Sequence, residues 1–279
     1  LNPRLLGSFG TECAGVVTAV GEGVPLQVGQ KVMGLVYDCF ASEVVTDAYA
    51  LGPMPEGLSF EQAATLPLAA ITTHHALDTL ARLRPGMRVL VHTATGGVGL
   101  SALQLCRAAG AEVFATAGSP HKRDLLRALG VAYVGDSRDT TFADEVLAAT
   151  DGEGVDVVIN TLGPATVPAS MRTLRPVTGM FVELSNVYER EVGIAPMGKG
   201  GALFMFDVEG LAQTDPAFAR AALEATCARL ADGAPSAAAR RCGSPSPRPA
   251  TSAASSGRTT SGSSTSRTAA ATRTGTCTP

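Results

Sequence analysis

The sequence predicts an α/β fold in which a doubly wound parallel sheet follows a smaller β-rich region. Three observations carry that prediction. Short apolar runs alternate with helical patterns from about residue 88 onward, a glycine-rich turn joins one such run to the helix after it, and the stretch before it holds brief strands parted by Gly and Pro. A chain of 279 residues with 45% hydrophobic side chains is long enough for one large globular domain or two ordinary ones.

In chain order, residues 15–20, 31–36 and 42–46 read as strands. Ser59-Phe60-Glu61-Gln62 fits a capping box that opens a helix, and Pro67 interrupts it. After Pro85-Gly86 the pattern becomes strand (88–93), helix (97–109), strand (112–117), helix (120–129). Gly110 and Gly130 fall where helix C-caps belong, and Ser119-Pro120 pairs an N-cap with a first-turn residue. Residues 155–160 and 180–184 are further apolar strands, of the kind buried on both faces in a parallel sheet. Asp215-Pro216 opens a last helix that runs to about Leu230.

From Pro235 to Pro279 only Ala, Arg, Cys, Gly, Pro, Ser and Thr occur. Such a segment has too little apolar surface to offset its ordering entropy, so neither structure nor chemistry is expected there. Two origins stay open: a flexible Ser/Thr/Pro linker, or a shifted reading frame in GC-rich DNA.

The formal net charge of −3 gives no reason to expect nucleic acid or an anionic membrane as partner. No apolar run reaches the roughly 18–20 residues that span a bilayer, and Leu1-Asn2-Pro3-Arg4 carries no secretory pattern. A soluble cytoplasmic protein cut from something longer is the expectation. None of the six cysteines forms a C-x2-C pair, so a structural zinc pattern is absent, and Cys13 and Cys106 read as small core residues.

The stretch "VLVHTATGGVGLSALQL" is the most informative. A buried strand meets Ala94-Thr95-Gly96-Gly97-Val98-Gly99, and a helix follows at once. Gly96 lets the backbone approach a pyrophosphate at the helix N-terminus, and Gly99 lets helix and strand pack closely. The rival is an ordinary glycine-rich turn. The end of the next strand selects the cofactor. NAD sites usually place Asp or Glu there, whereas this chain has Ala117-Gly118-Ser119 and then His121-Lys122-Arg123. Nothing there repels a 2′-phosphate, and Ser119 and Lys122 are able to bind one, so NADPH is expected.

These features, with "GTECAGVV", "GQKVMGL", "LPLAAITTHHAL", "DSRDTTF", "GVDVVINTLG", "GMFVEL" and "FMFDVEGL" in that order, resemble the medium-chain dehydrogenase/reductase superfamily. Within it the chain is most similar to the enoylreductase domains of modular polyketide synthases, over roughly residues 5–233. The resemblance implies a partial GroES-like catalytic domain (1–72), an NADPH-binding Rossmann domain (73–213), a helix returning to the catalytic domain (214–233), and a disordered or out-of-frame tail (234–279). It also implies the zinc-free branch. Where zinc dehydrogenases carry Gly-His-Glu, with His as ligand, this chain has Gly10-Thr11-Glu12, and Thr is not a usual zinc ligand. His74 and His75 align with paired aromatic positions and are expected to pack between helices.

The implied reaction is NADPH-dependent reduction of an α,β-unsaturated thioester on an acyl carrier protein, with neighbouring polyketide synthase domains as partners. The alternatives are a stand-alone zinc-free NADPH:quinone oxidoreductase and a cofactor-binding fragment without turnover. Carried over by position, Thr72 contacts the nicotinamide-side ribose or amide. Ala94, Gly96, Gly97, Val98 and Gly99 form the pyrophosphate turn. Ser119, Lys122 and Arg138 hold the 2′-phosphate, and Asn160 and Leu162 line the nicotinamide pocket. Thr72 has the plainer alternative of a helix-interior hydroxyl, and Arg138 of a solvated loop residue. Asp207 and Asn186 are the catalytic candidates. The family usually carries Gly-Lys where this chain has Ser185-Asn186, and Asn donates hydrogen bonds but is a poor proton source. For Asp207 the alternative is a carboxylate that caps a backbone turn.

Overall fold

Two sheets organise the chain in the computed structural model, which describes residues 9–185, 200–231 and 269–274. The first is antiparallel and begins with β1 (Glu12–Val20), β2 (Lys31–Leu35), β3 (Glu43–Asp47) and β4 (Leu51–Pro53). β2 lies between β1 and β4, with Cys13 opposite Gly34 and Gly34 opposite Leu51. Alternation along the strands gives the sheet two apolar faces. Cys13, Val17, Val32 and Leu51 pack into one core cluster, while Ala14, Met33 and Leu35 pack into another with the helices. Gly34 is obligatory, because a Cβ there would lie 1.9 Å from the Ala50 carbonyl oxygen.

The expected capping box opens α1 (Phe60–Ala63): Gln62 N–H donates to Ser59 Oγ at 3.2 Å and Ser59 N–H to Gln62 Oε1 at 3.0 Å. α2 (Pro67–Thr73) starts on Pro67, whose missing N–H costs nothing in a first turn, and runs on as a π-helical stretch, His74–Leu80.

Next come β5 (Arg88–Val91), α3 (Gly97–Ala109), β6 (Glu112–Ala117), α4 (Pro120–Ala128), β7 (Tyr133–Asp136), α5 (Phe142–Ala149), β8 (Val157–Asn160), α6 (Val167–Arg172), β9 (Met180–Glu183) and β10 (Ala202–Met205). The second sheet has the order β10-β9-β8-β5-β6-β7, and each pairing is parallel. The doubly wound fold expected from the sequence is therefore present. Both faces are covered: Val89, Val91, Val157 and Ile159 sink into one core, Leu90, Val158 and Phe114 into the other. The strand order reverses between β5 and β8. In such sheets a crevice opens at that point beyond the carboxyl ends of the strands, which is where ligands bind.

α7 (Val208–Thr214) and α8 (Pro216–Ala231) return the chain to the first sheet. Ala219, Ala222 and Leu223 of α8 share a core cluster with Ala14, Met33 and Ile71. Arg229 closes an ion pair with Asp78 at 2.5 Å.

The tail differs from expectation at one place. Ala269–Thr274 forms β11, antiparallel between β1 and β3. The absence of structure foreseen for the whole of 234–279 is thus corrected at these six residues. The reason lies in the partners: β1 and β3 each present a row of backbone donors and acceptors, and an edge of that kind accepts a strand through main-chain bonds alone. Among the described residues no helix is long and apolar enough to cross a membrane.

Candidate cofactor site

The turn after β5 is built around one close approach. A Cβ on Gly99 would lie 2.5 Å from Ala94 Cα, so only glycine lets α3 start directly against the strand end. Gly96 and Gly97 are different: a Cβ would meet nothing nearer than 3.4 Å and 3.9 Å respectively. Gly96 is the N-cap of α3, and the first intrahelical bond runs from Leu100 N–H to Gly96 O at 2.8 Å. The N–H groups of Gly97, Val98 and Gly99 precede it and form the electropositive end of a 13-residue helix. Ala94 is fully buried and anchors the turn through its N–H to Thr116 O at 3.0 Å. A cradle with space on the side of Gly96 and Gly97 and none at Gly99 fits a pyrophosphate.

Beside the turn, Thr93 adopts φ +46°, an unusual conformation for a β-branched residue. Its hydroxyl lies 2.5 Å from that of Thr161, which also donates to His92 O at 3.3 Å. This link ties the end of β5 to the end of β8 across the switch point. His92 itself is sealed in the core, with Nδ1 at 2.9 Å from Thr116 Oγ1 and Nε2 at 2.9 Å from Ser170 Oγ. Burial pushes its pKa down to about 3, so it is a neutral structural residue.

The end of β6 carries a polar corner. Arg138 Nε donates to Gly118 O at 2.9 Å, and Arg138 N–H to Asp136 Oδ1 at 3.0 Å. Ser119 sits at the N-cap of α4 as expected, but its hydroxyl contacts His121 Nδ1 at 3.2 Å instead of a backbone N–H. Lys122 is exposed. Arg123 bridges Ala117 O at 3.1 Å and Asp136 Oδ2 at 2.7 Å. It thereby fixes the strand end beneath the corner. Ser119 and Arg138 thus flank Gly118, and Lys122 lies one turn along α4.

At the ends of β8 and β9 stands a pair that the sequence revealed only by half. Asn160 is fully buried, and its Nδ2 donates to Glu183 Oε2 at 2.7 Å and to Leu162 O at 3.2 Å. Its Oδ1 accepts from Leu162 N–H at 3.3 Å. Glu183, 1% exposed, uses its other oxygen to accept from Ser185 N–H at 2.7 Å. Asn160 and Leu162 therefore belong to one turn, and Glu183 is the partner of Asn160 that sequence reasoning missed. The only local signal was a carboxylate inside the apolar run Met180–Glu183.

The remaining candidates divide. Thr72 donates to Leu68 O at 2.7 Å, the helix-interior bond that was its alternative role, and keeps its lone pairs. His75 packs edge-on against Phe206 at 4.5 Å and Phe218 at 5.1 Å, and His74 lies 5.8 Å from Phe218, so both pack as foreseen. Asp207 is the N-cap of α7, with Oδ1 accepting from Glu209 N–H at 3.0 Å. Beside it Tyr37, another unforeseen residue, has its phenol pKa raised by burial and by the Glu209 and Asp207 carboxylates, while a hydrogen bond with Gln213 opposes the shift. Asn186 lies outside the described residues. Glu12 Oε2 accepts from Leu68 N–H at 2.9 Å, so the carboxylate of the Gly-Thr-Glu turn caps α2. Burial raises its pKa.

A doubly wound parallel sheet with this glycine turn at its switch point, returned by a helix to an antiparallel sheet, defines a nucleotide-binding dehydrogenase/reductase. Residues 97–208 match the family described as zinc-binding dehydrogenase. A phenolphthiocerol/phthiocerol polyketide synthase of Mycobacterium tuberculosis is 41% identical over 229 residues, 81% of this chain and 10% of that protein. The chain spans about a tenth of the length of the curated relatives it matches. Among solved structures, the CurK enoyl reductase is 38% identical with a TM-score of 0.74, covering 82% of this chain and 70% of that one. The nucleotide-binding subdomain of the enoylreductase domain of PpsC from Mycobacterium tuberculosis is 41% identical with a TM-score of 0.58, covering 61% and 97%. The chain belongs to the enoylreductase domains of polyketide synthases, within the medium-chain dehydrogenase/reductase superfamily.

Proposed function

We propose that this chain is the enoylreductase portion of a polyketide synthase, reducing an α,β-unsaturated thioester carried on an acyl carrier protein with NADPH. The observation that carries the cofactor choice is the corner at Gly118. β6 itself ends without a carboxylate, the neighbouring Asp136 is paired with Arg123, and Arg138 is held at the corner through Nε. The rest of its guanidinium remains for a phosphate, to which charge-assisted bonds are about twice as strong as neutral ones.

NADPH, when bound, supplies hydride to the β-carbon of the enoyl thioester, and the α-carbon then takes a proton. The chain's own residues do the rest. Gly96, Gly97, Val98 and Gly99 receive the pyrophosphate on the α3 terminus, with Ala94 anchoring the turn. Ser119, Lys122 and Arg138 hold the 2′-phosphate, and Asn160 and Leu162 shape the nicotinamide end. Thr72, its proton engaged with Leu68, offers the cofactor an acceptor. Asp207 and Asn186 are the residues proposed to serve the substrate. Asp207 has one oxygen spent on the cap and the other left for substrate or water. The zinc-free character rests on Thr11 and on Glu12, whose Oε2 is engaged with Leu68.

The test is a fluorescence titration of the chain with NADPH and NADH, followed by turnover assays on a carrier-protein-bound enoyl thioester and on a free quinone. Tighter NADPH binding and thioester reduction support the proposal. Quinone reduction alone moves the chain to the quinone oxidoreductases, and NADPH binding without turnover identifies a cofactor-binding fragment. Preference for NADH overturns the assignment of the Gly118 corner.

A further inference from the structure

We propose that Glu183 is a positioning residue for the nicotinamide end of the site, acting through Asn160 and Ser185 on the two turns beyond β8 and β9; this rests on the NADPH proposal. Glu183 and Asn160 face each other in register across neighbouring parallel strands. Both are sealed from solvent, and no ion pair among the described residues reaches Glu183. A buried carboxylate without a cation is costly unless its oxygens are hydrogen-bonded, and here both are.

The bonds form a chain with a fixed polarity. At one end Ser185 N–H donates to Glu183, and at the other Leu162 N–H donates to Asn160. Both ends are backbone donors, so each side chain must present an oxygen outward. The middle bond then needs one donor and one acceptor. A carboxylate accepts at both oxygens, while an amide accepts at one end and donates at the other. Without the uptake of a proton, only one carboxylate with one amide satisfies the chain. Two amides set N–H against N–H, and two ionised carboxylates set oxygen against oxygen, a conflict relieved only by a proton held between them. Flipping an amide moves the conflict to an end without removing it.

This chain lies at the switch-point side of the sheet, where the crevice opens. It fixes Leu162, which the NADPH proposal assigns to the nicotinamide, and Ser185 beyond the end of β9. It is remote in the fold from the Gly118 corner at the end of β6, two strands away across β5. Glu183 is accordingly expected to govern the nicotinamide half of the cofactor and not the adenosine half.

The experiment measures dissociation constants of the full chain for NADPH and for adenosine 2′,5′-bisphosphate, which lacks the nicotinamide half. Glu183→Gln and Asn160→Asp each break the polarity rule; the double variant obeys it with the roles exchanged. Its one cost is at Leu162 O, where an acceptor oxygen replaces the Asn160 Nδ2 donor. Each single variant should weaken NADPH about tenfold and leave the bisphosphate within about twofold, and the double variant should return to within about threefold of the parent. Equal losses for both ligands, unchanged NADPH affinity in the single variants, or no recovery in the double variant overturns the proposal. So does unfolding of both single variants, since the chain of bonds would then serve folding and not the pocket. A parent chain that fails to bind NADPH overturns the cofactor assignment instead, before any variant is compared.

Discussion

Arg138 donates through Nε to the carbonyl of Gly118 at 2.9 Å, which lays a guanidinium across the end of β6 where a dinucleotide's adenosine ribose is held in this fold. Glycine is needed for that approach, since a Cβ at 118 would stand 3.0 Å from Nε. The arrangement turns a loop cation into a fixed one, leaving the outer N–H groups of the fork for a ligand.

Arg138→Ala should therefore weaken NADPH by about tenfold while leaving NADH unchanged, since a hydrogen bond to a charged group contributes roughly 1.5–3 kcal/mol. Arg138→Lys should not restore the preference, because an ammonium has no second face to bind Gly118 O while addressing a phosphate. Parallel titrations with both cofactors decide it: equal losses for NADPH and NADH would remove Arg138 from the phosphate site.

The glycine turn separates packing from ligand space, and two substitutions read the two roles. Gly99→Ala drives a methyl to within 2.5 Å of Ala94 Cα and should destabilise the fold by about 1–3 kcal/mol or more. Gly96→Ala meets only Thr93 O at 3.4 Å, so its melting temperature should stay near the parent's while NADPH affinity falls. Thermal melts and cofactor titrations on both proteins check the pair. A Gly96→Ala protein with full cofactor affinity would show that the open side of the turn is not where the pyrophosphate lies.

Those glycines were legible in the sequence because their chemistry is local: a strand, a turn and a helix within one continuous stretch. The strands β5, β6 and β8 were legible for the same reason, as apolar runs between turn residues. Glu183 was not, because its partner Asn160 lies 23 residues away and only the parallel pairing of β8 with β9 brings them together. The role of Arg123 was hidden for the same reason, since its partner Asp136 comes from the next strand. β11 has no apolar pattern at all, and what places it is the hydrogen-bonding need of β1 and β3. Tyr37 likewise gains its setting only when α7 packs beside the turn after β2.

His92 gives the fold a defined acid sensitivity. Burial holds its pKa at about 3 in the folded chain, against about 6.5 when unfolded. The unfolded state therefore binds more protons between these values, and stability falls as pH drops from about 6.5 toward 3, by roughly 1.4 kcal/mol per pH unit at the steepest. The contribution is fully present above pH 6.5. Replacing His92 with Gln should remove that dependence, so the gap in denaturant midpoint between parent and variant should narrow on going from pH 7.5 to pH 5. A gap independent of pH would mean that His92 is protonated inside the core.

Asp207 holds two roles that one pair of substitutions can part. As N-cap it satisfies Glu209 N–H, and Leu211 N–H reaches its backbone carbonyl at 2.9 Å. Asn caps a helix about as well as Asp, whereas Ala forfeits about 1 kcal/mol. Asp207→Asn should thus melt with the parent and Asp207→Ala several degrees lower. If Asp207 also serves the substrate, through the oxygen the cap leaves free, then Asp207→Asn loses at least tenfold in kcat at unchanged stability, because an amide neither takes up nor releases a proton near neutrality. If Asp207→Asn turns over like the parent, the carboxylate is a cap alone. The α-carbon proton must then come from elsewhere around the cleft, where the Tyr37 phenol, beside the Asp207 and Glu209 carboxylates, becomes the next group to substitute.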